Sequence, residues 1–339
     1  MEKHRAVGTG RQPAARGNGC ARGLEALPLS PPRVPGYDLL RRIGRGSYGD
    51  VWLARALNAN GEYRAVKVVH RETFEHDRPF ARELAGIRRF EPVSRSHPGF
   101  IQILRVGIDE SRRMFFYVME LGDDEAGGRE IEPGRYAPRT LAREIARGGR
   151  LPCRHCLRLG LDLSLALSEL HKRGLVHRDV KPANIIFVHG TPKLADIGLV
   201  AEAGVAPSYV GTEGFIPPEG PGSACADVYS LGKVLYEAGT GKDRHDFPEL
   251  PSRLDELPDR DLLLELNEII LRACRNDIQK RYPSAWDLYA DLLLLANGES
   301  IRRANARIAR VDRLKKVSLT ALNLLVPALC LCLGRCRPT

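Results

Sequence analysis

The chain has 339 residues, enough for one large domain or two modest ones with a sizeable core. Its formal net charge of +10 sits at the ends: residues 1–36 carry +4, residues 299–339 carry +7, and residues 37–298 carry −1. A nearly neutral middle is not built to track a phosphate backbone, so no specific nucleic-acid partner is expected.

Residues 1–36 are rich in Gly, Ala, Pro and Arg without apolar periodicity, and read as a disordered basic arm. From Tyr37 the pattern changes. Leu39, Leu40 and Ile43 lead into Gly44-Arg45-Gly46-Ser47-Tyr48-Gly49, and Val51-Trp52-Leu53-Ala54 follows, so two strands flank a glycine-rich turn. Glycines let main-chain N–H groups approach a polyphosphate, and Val51 would cover an adenine ring. The same glycine spacing occurs in dinucleotide-binding turns, but a helix follows there, whereas here the sequel reads as a strand.

Residues 63–69 predict another strand, with Lys67 alone in an apolar setting. A helix is predicted around 80–90, where Glu83, Ile87 and Phe90 share a face; Glu83 is the best candidate for the ion-pair partner of Lys67, with Glu72 and Glu75, in a more polar and less periodic stretch, competing for the role. Residues 100–108 and 114–121 predict two further strands, the second ending Met119-Glu120-Leu121-Gly122. The polar, Gly- and Pro-containing stretch 123–139 reads as a loop insertion on the surface. Cys153-Arg154-His155-Cys156 has no second pair at zinc-site spacing and marks the start of a helix over 154–173, with Leu157, Leu161, Leu165 and Leu170 near period 3.6. The eight cysteines form no legible disulfide framework, and without a secretory signal a reducing interior is expected.

That helix delivers the chain into His177-Arg178-Asp179-Val180-Lys181-Pro182-Ala183-Asn184, a polar run between apolar segments. It sets a carboxylate, an ammonium and an amide carbonyl within six residues, with Pro182 stiffening the turn. A hairpin over 185–195 then ends at Asp196-Ile197-Gly198, where an acid between a strand and a glycine is placed to bind a divalent cation. Further on come Gly211-Thr212-Glu213-Gly214-Phe215-Ile216-Pro217-Pro218-Glu219, then Asp227-Val228-Tyr229-Ser230-Leu231-Gly232, then Arg281.

In this order these motifs resemble those of Hanks-type (eukaryotic-like) serine/threonine protein kinases, over about residues 37–298. The resemblance implies an α+β, two-lobed fold: a small, mainly antiparallel β lobe with one key helix over about 37–119, and a larger, mainly helical lobe over about 123–298. It implies ATP as phosphoryl donor, Mg2+ as cofactor with Mn2+ as a substitute, and protein Ser/Thr hydroxyls as acceptors. Asp179 would orient the acceptor hydroxyl and take its proton, Lys181 would reach the γ-phosphate, and Asn184 and Asp196 would hold the metal. Lys67, paired with Glu83, would position ATP over Ile43, Gly44, Arg45, Gly46, Ser47, Gly49, Val51 and Ala65, with Met119 as gatekeeper and backbone groups of Glu120 and Leu121 at the adenine edge. Arg178 would receive an activation-loop phosphate, with Ser208, Tyr209 and Thr212 as the loop's hydroxyls, while Asp227 and the Glu219–Arg281 pair would be structural supports. Lys181 favours the serine/threonine class over tyrosine kinases. Ile197 stands where Phe is usual and keeps an apolar side chain. An ATP-binding scaffold that has lost transfer is the alternative, against which Lys67, Asp179, Asn184 and Asp196 all stand.

Residues 299–316 form a basic segment, and 317–334 is uncharged, long enough at about 1.5 Å per residue to span a bilayer core. A C-terminal membrane helix is therefore expected, with the basic flank and the kinase domain on the cytoplasmic side, a short tail over 335–339 and no extracellular sensor domain in this chain.

Overall fold

Alternation of side chains along an extended backbone decides how the first half of the chain folds. The computed structural model describes residues 31–46, 48–58, 60–196, 211–303 and 306–307, together with the backbone of 201–202. Five strands, β1 (Tyr37–Gly46), β2 (Gly49–Ala56), β3 (Tyr63–His70), β4 (Ile103–Asp109) and β5 (Met114–Met119), form one antiparallel sheet in the order β1-β2-β3-β5-β4. In β5, Phe115 and Tyr117 pack on the side of helix α1 (Asp77–Ser94). Met114, Phe116 and Val118 point to the other side, against Val34, Leu39 and Val66. Glu83, Ile87, Phe90 and Ser94 of α1 are all buried, an i, i+4, i+7, i+11 stripe laid on the sheet.

The second half is mainly helical. Helix α2 (Leu141–Gly148) starts at Thr140, whose hydroxyl accepts from Arg143 N, and α3 (Cys153–Lys172) buries its leucine face in the main core. Strands β6 (Leu175–Val176) and β9 (Ala201–Glu202) pair, as do β7 (Ile185–Val188) and β8 (Thr191–Leu194). His189 and Gly190, at φ 52° and 76°, make the two-residue turn of the second pair, as hairpin twist requires. Helices α4 (Ala224–Thr240), α5 (Arg260–Ala273) and α6 (Ala285–Ala296) complete the lobe against α3. The two-lobed α+β architecture implied by the motifs is thus present.

Two expectations are adjusted, and the cysteine pair lies where the helix start was expected. The strand expected over 100–108 begins only at Ile103, because Ile101 N bonds Leu194 O and Leu194 N bonds Gly99 O, tying that stretch to β8 in the other lobe. The 123–139 excursion is not merely a surface loop: Asp123, Asp124 and Tyr136 are buried, since the loop folds back on its own carboxylates. Cys153 and Cys156 lie buried in the first turn of α3, and burial pushes both thiols up to about 12. Residues 1–30 of the arm expected over 1–36 and the candidate membrane segment over 317–334 lie outside the described residues, while Val34 of that arm is buried against the small-lobe sheet; among the described residues no helix is long and apolar enough to cross a membrane.

Candidate active site

The register of the sheet assembles one wall of a cleft. Val51 pairs with Lys67, Lys67 with Tyr117, and Ala65 with Met119, so the apolar cover, the lysine and the expected gatekeeper face one another across neighbouring strands. Ile43, Gly44, Arg45, Gly46, Val51, Ala65, Lys67, Met119, Glu120 and Leu121 all line this cleft, and Asn184 and Asp196 close it from the other lobe. Ile186, Ala195 and Tyr136, singled out by no motif, line it too. Ile186 and Ala195 each lie within two residues of a motif residue, Asn184 or Asp196, and the β7–β8 alternation could have flagged them. Tyr136 carries no such signal.

Not every expected contact falls in the cleft. Ser47, Ile197, Gly198, Ser208 and Tyr209 lie outside the described residues. Gly49 does not line the cleft; a Cβ there would meet Val68 O at 2.1 Å, so its lack of a side chain serves the close approach of β2 to β3. Glu120 N is already spent on Gln102 O, leaving only its carbonyl for an adenine edge. The Glu120 carboxylate turns away to Lys193 Nζ at 2.6 Å and Gln102 N at 2.8 Å.

At the inner end, Lys67 is 2% exposed and its Nζ lies 2.5 Å from Asp196 Oδ1. Burial alone would lower the Lys67 pKa, but the Asp196 carboxylate outweighs it and the ammonium is held above its ordinary value. Asp196, which burial would raise, is conversely held below the ordinary carboxylate range by Lys67. The expected Lys67–Glu83 ion pair is not formed among the described residues. Glu83 is 6% exposed, its Oε1 has no hydrogen-bond partner among the described residues, and burial pushes its pKa up to about 8 against the opposing pull of Lys67. One buried ammonium neutralises one carboxylate; the other avoids its desolvation penalty by keeping its proton.

The polar run over 177–184 is held from below by Asp227 of α4, which is 1% exposed. Its carboxylate accepts from His177 N at 2.8 Å, Arg178 N at 2.9 Å and the His171 ring nitrogen at 2.8 Å. Burial would raise its pKa, but the His171 contact and the neighbouring His177 hold it below the usual range. Arg178 and Asp196 sit at φ 70° and 56°, left-handed conformations unusual for residues with side chains and typical of functional sites.

Above this anchor three donors surround Asp179. Lys181 Nζ reaches Oδ2 at 2.7 Å, Asn184 Nδ2 reaches Oδ2 at 2.9 Å, and Thr212 Oγ1 donates to Oδ1 at 3.0 Å. Lys181 Nζ also donates to Thr212 Oγ1 at 2.8 Å. Thr212, expected only as a regulatory hydroxyl, is therefore bonded to Asp179 and Lys181 of the polar run, where a phosphoryl group would oppose the Asp179 charge. Asn184 both lines the cleft and holds Asp179, joining the two halves of the site. With its amide nitrogen turned to Asp179, its side-chain oxygen remains, and together with the Asp196 carboxylate it offers the hard oxygen donors that suit Mg2+ or Mn2+. Glu219 and Arg281 form a two-pronged pair at 2.6 and 3.2 Å, as expected of the supports.

The protein kinase domain family model matches residues 37–257. Serine/threonine-protein kinase PknA of Mycobacterium tuberculosis is 35% identical over 224 residues, covering 61% of this chain and 47% of PknA. CBL-interacting serine/threonine-protein kinase 9 of Arabidopsis thaliana is 30% identical over 241 residues, 67% of this chain and 49% of that protein. A probable serine/threonine-protein kinase of Clostridium perfringens is 28% identical over 284 residues, 76% of this chain and 38% of that protein. The chain thus spans about half the length or less of these curated relatives. It belongs to the protein kinase domain family, in its Hanks-type serine/threonine branch.

Proposed function

We propose that this chain transfers the γ-phosphoryl group of ATP to serine or threonine hydroxyls of proteins, itself included, and acts in signalling. The observation that carries this reading is the ring of Lys181, Asn184 and Thr212 donors around Asp179, joined through Asn184 to the cleft that contains Lys67 and Asp196. Asp179 takes the acceptor proton as the new O–P bond forms and the bond from the γ-phosphorus to the ADP oxygen breaks. Lys181 supplies positive charge beside that carboxylate and toward the transferred group. Lys67 binds the non-transferred phosphates, and Asn184 and Asp196 hold Mg2+, with Mn2+ as a substitute, which when bound neutralises phosphate charge. Glu83 pairs with Lys67 in the reacting arrangement, and Arg178 receives an activation-loop phosphate.

Retention of all four of Lys67, Asp179, Asn184 and Asp196 disfavours the alternative of an ATP-binding scaffold. The kinase domain is assigned to 37–298, between a basic arm over 1–36 and a basic segment over 299–316. Residues 317–334 are assigned as a membrane anchor on the strength of their uncharged composition, keeping the domain on the cytoplasmic side. Alkaline carbonate extraction that leaves the full chain soluble would remove the anchor from this picture.

The decisive experiment is incubation with γ-labelled ATP and Mg2+ followed by mapping of the labelled residues. Label is expected on Ser and Thr, and Asp179→Asn or Lys67→Met is expected to abolish it. Incorporation left intact in both variants would sink the assignment.

A further inference from the structure

The 123–139 excursion is rooted in the larger lobe. Asp123 N donates to Phe187 O at 2.7 Å, and its carboxylate accepts from His189 N and Gly190 N at 2.8 and 2.7 Å, capping the β7–β8 turn. The Asp124 carboxylate gathers the loop onto itself, accepting from Gly127 N and Ala137 N, both at 2.7 Å. Backbone hydrogen bonds that end on buried carboxylates make a stiff loop out of a sequence that reads as a surface insertion. From this root the loop crosses to the small lobe. Arg41 of β1 donates from Nε to Pro133 O at 3.2 Å and from Nη2 to Tyr136 O. Arg41 lies two residues before Ile43, which lines the cleft, so the contact fixes that part of β1 against the larger lobe. Tyr136 itself is 2% exposed, lines the cleft, and donates its hydroxyl to Gly122 O at 3.0 Å beside the segment that joins the lobes.

We propose that this loop is a clasp between the lobes across the outer end of the nucleotide cleft, with Tyr136 as a wall that slows nucleotide release and Arg41 as the positioning residue that holds the clasp closed. The inference rests on the reading of the cleft as an ATP site and adds to it. The lobes must part for ADP to leave, and parting them breaks the two Arg41 hydrogen bonds, each to a carbonyl that the loop presents. The clasp therefore acts on residence of the nucleotide and not on the transfer step, which takes place around Asp179 at the inner end.

The test is ADP release from the full chain, measured by surface plasmon resonance with Mg2+ present, for wild type, Arg41→Ala, Tyr136→Phe and Tyr136→Ala. Arg41 is exposed, so its replacement leaves folding intact, and thermal melting checks this. Arg41→Ala is expected to speed ADP release roughly tenfold and raise KM for ATP, without lowering kcat. Tyr136→Phe keeps the wall and is expected to release ADP at close to the wild-type rate, whereas Tyr136→Ala follows Arg41→Ala. Should Tyr136→Ala fail to fold, the arginine variant decides alone. Normal ADP binding with release unchanged in Arg41→Ala would overturn the clasp and leave the kinase reading standing; absence of ADP binding to the wild-type chain would overturn both.

Discussion

Lys67 Nζ is 2.5 Å from Asp196 Oδ1, while Glu83 on α1, facing the same lysine, keeps a buried carboxylate oxygen with no hydrogen-bond partner among the described residues. Two acids compete for one cation, and the structure records the outcome in which Asp196 holds it. The electrostatics follow: Lys67 and Asp196 stay charged, and Glu83 titrates at about 8.

Glu83 makes stability pH-dependent in a defined direction. Its ordinary value is 4.5 and its folded value about 8. Between these the folded chain holds a proton that the unfolded chain has released, so stability falls as pH rises through that window and levels off above it. Glu83→Gln has no proton to lose. Its melting temperature should exceed wild type by a few degrees at about pH 8.5 and match it at about pH 4.5. Phosphoryl transfer should fall in the same variant, because the amide cannot pair with Lys67. A stability difference that stays constant across the pH range would contradict the neutral Glu83.

Asp227 predicts a larger effect. Its carboxylate takes two backbone N–H groups and an imidazole in a fully buried position, and Asp227→Asn would present an N–H donor to one of them. A loss on the order of 3 kcal/mol is expected in urea unfolding, with activity falling because His177 and Arg178 set the path to Asp179. Unfolding unchanged within about 0.5 kcal/mol would refute the anchor.

The sequence made most of the site legible because its residues are local signatures: glycines at a strand turn, one lysine in an apolar strand, and an acid and an amide five residues apart. What it could not make legible depends on distance in the chain. Glu83 and Asp196 stand 113 positions apart, and which of them takes Lys67 is decided by burial and the path of α1, not by either motif. Tyr136 belongs to a stretch whose Gly, Pro and Glu content reads as a solvated loop. Only the gathering of N–H groups on Asp123 and Asp124 carries it into the cleft. Gly49 matched the pattern but serves the packing of two strands, a demand that looks the same in sequence as phosphate binding.

Arg281 is 2% exposed and donates to Glu219, to Arg275 O and to Cys225 O, with its guanidinium 5.1 Å from the Tyr229 ring centroid. Arg281→Lys keeps the charge and loses the planar fork, so it should cost about 2 kcal/mol, and Arg281→Ala about 3 to 4 kcal/mol because carbonyls are left without donors. Chemical denaturation of the two variants checks the order. Lysine rescuing stability completely would show that charge alone suffices there.

Thr212 offers the sharpest separation of chemistry from binding. Its hydroxyl donates to Asp179 Oδ1 and accepts from Lys181 Nζ, so one atom sets the positions of both the proposed base and the proposed cation. Thr212→Val keeps the shape and removes both bonds, Thr212→Ser keeps the bonds, and Thr212→Glu sets a charge against Asp179. None of these residues touches the nucleotide cleft, which Thr212 does not line. Valine should therefore lower kcat by roughly 10- to 100-fold with ADP affinity unchanged, serine should restore most of the rate, and glutamate should be at least as impaired as valine. If Thr212 acted instead as an activating phosphorylation site, glutamate would outperform valine. That ordering, read from initial rates at saturating ATP, distinguishes a positioning hydroxyl from a regulatory one.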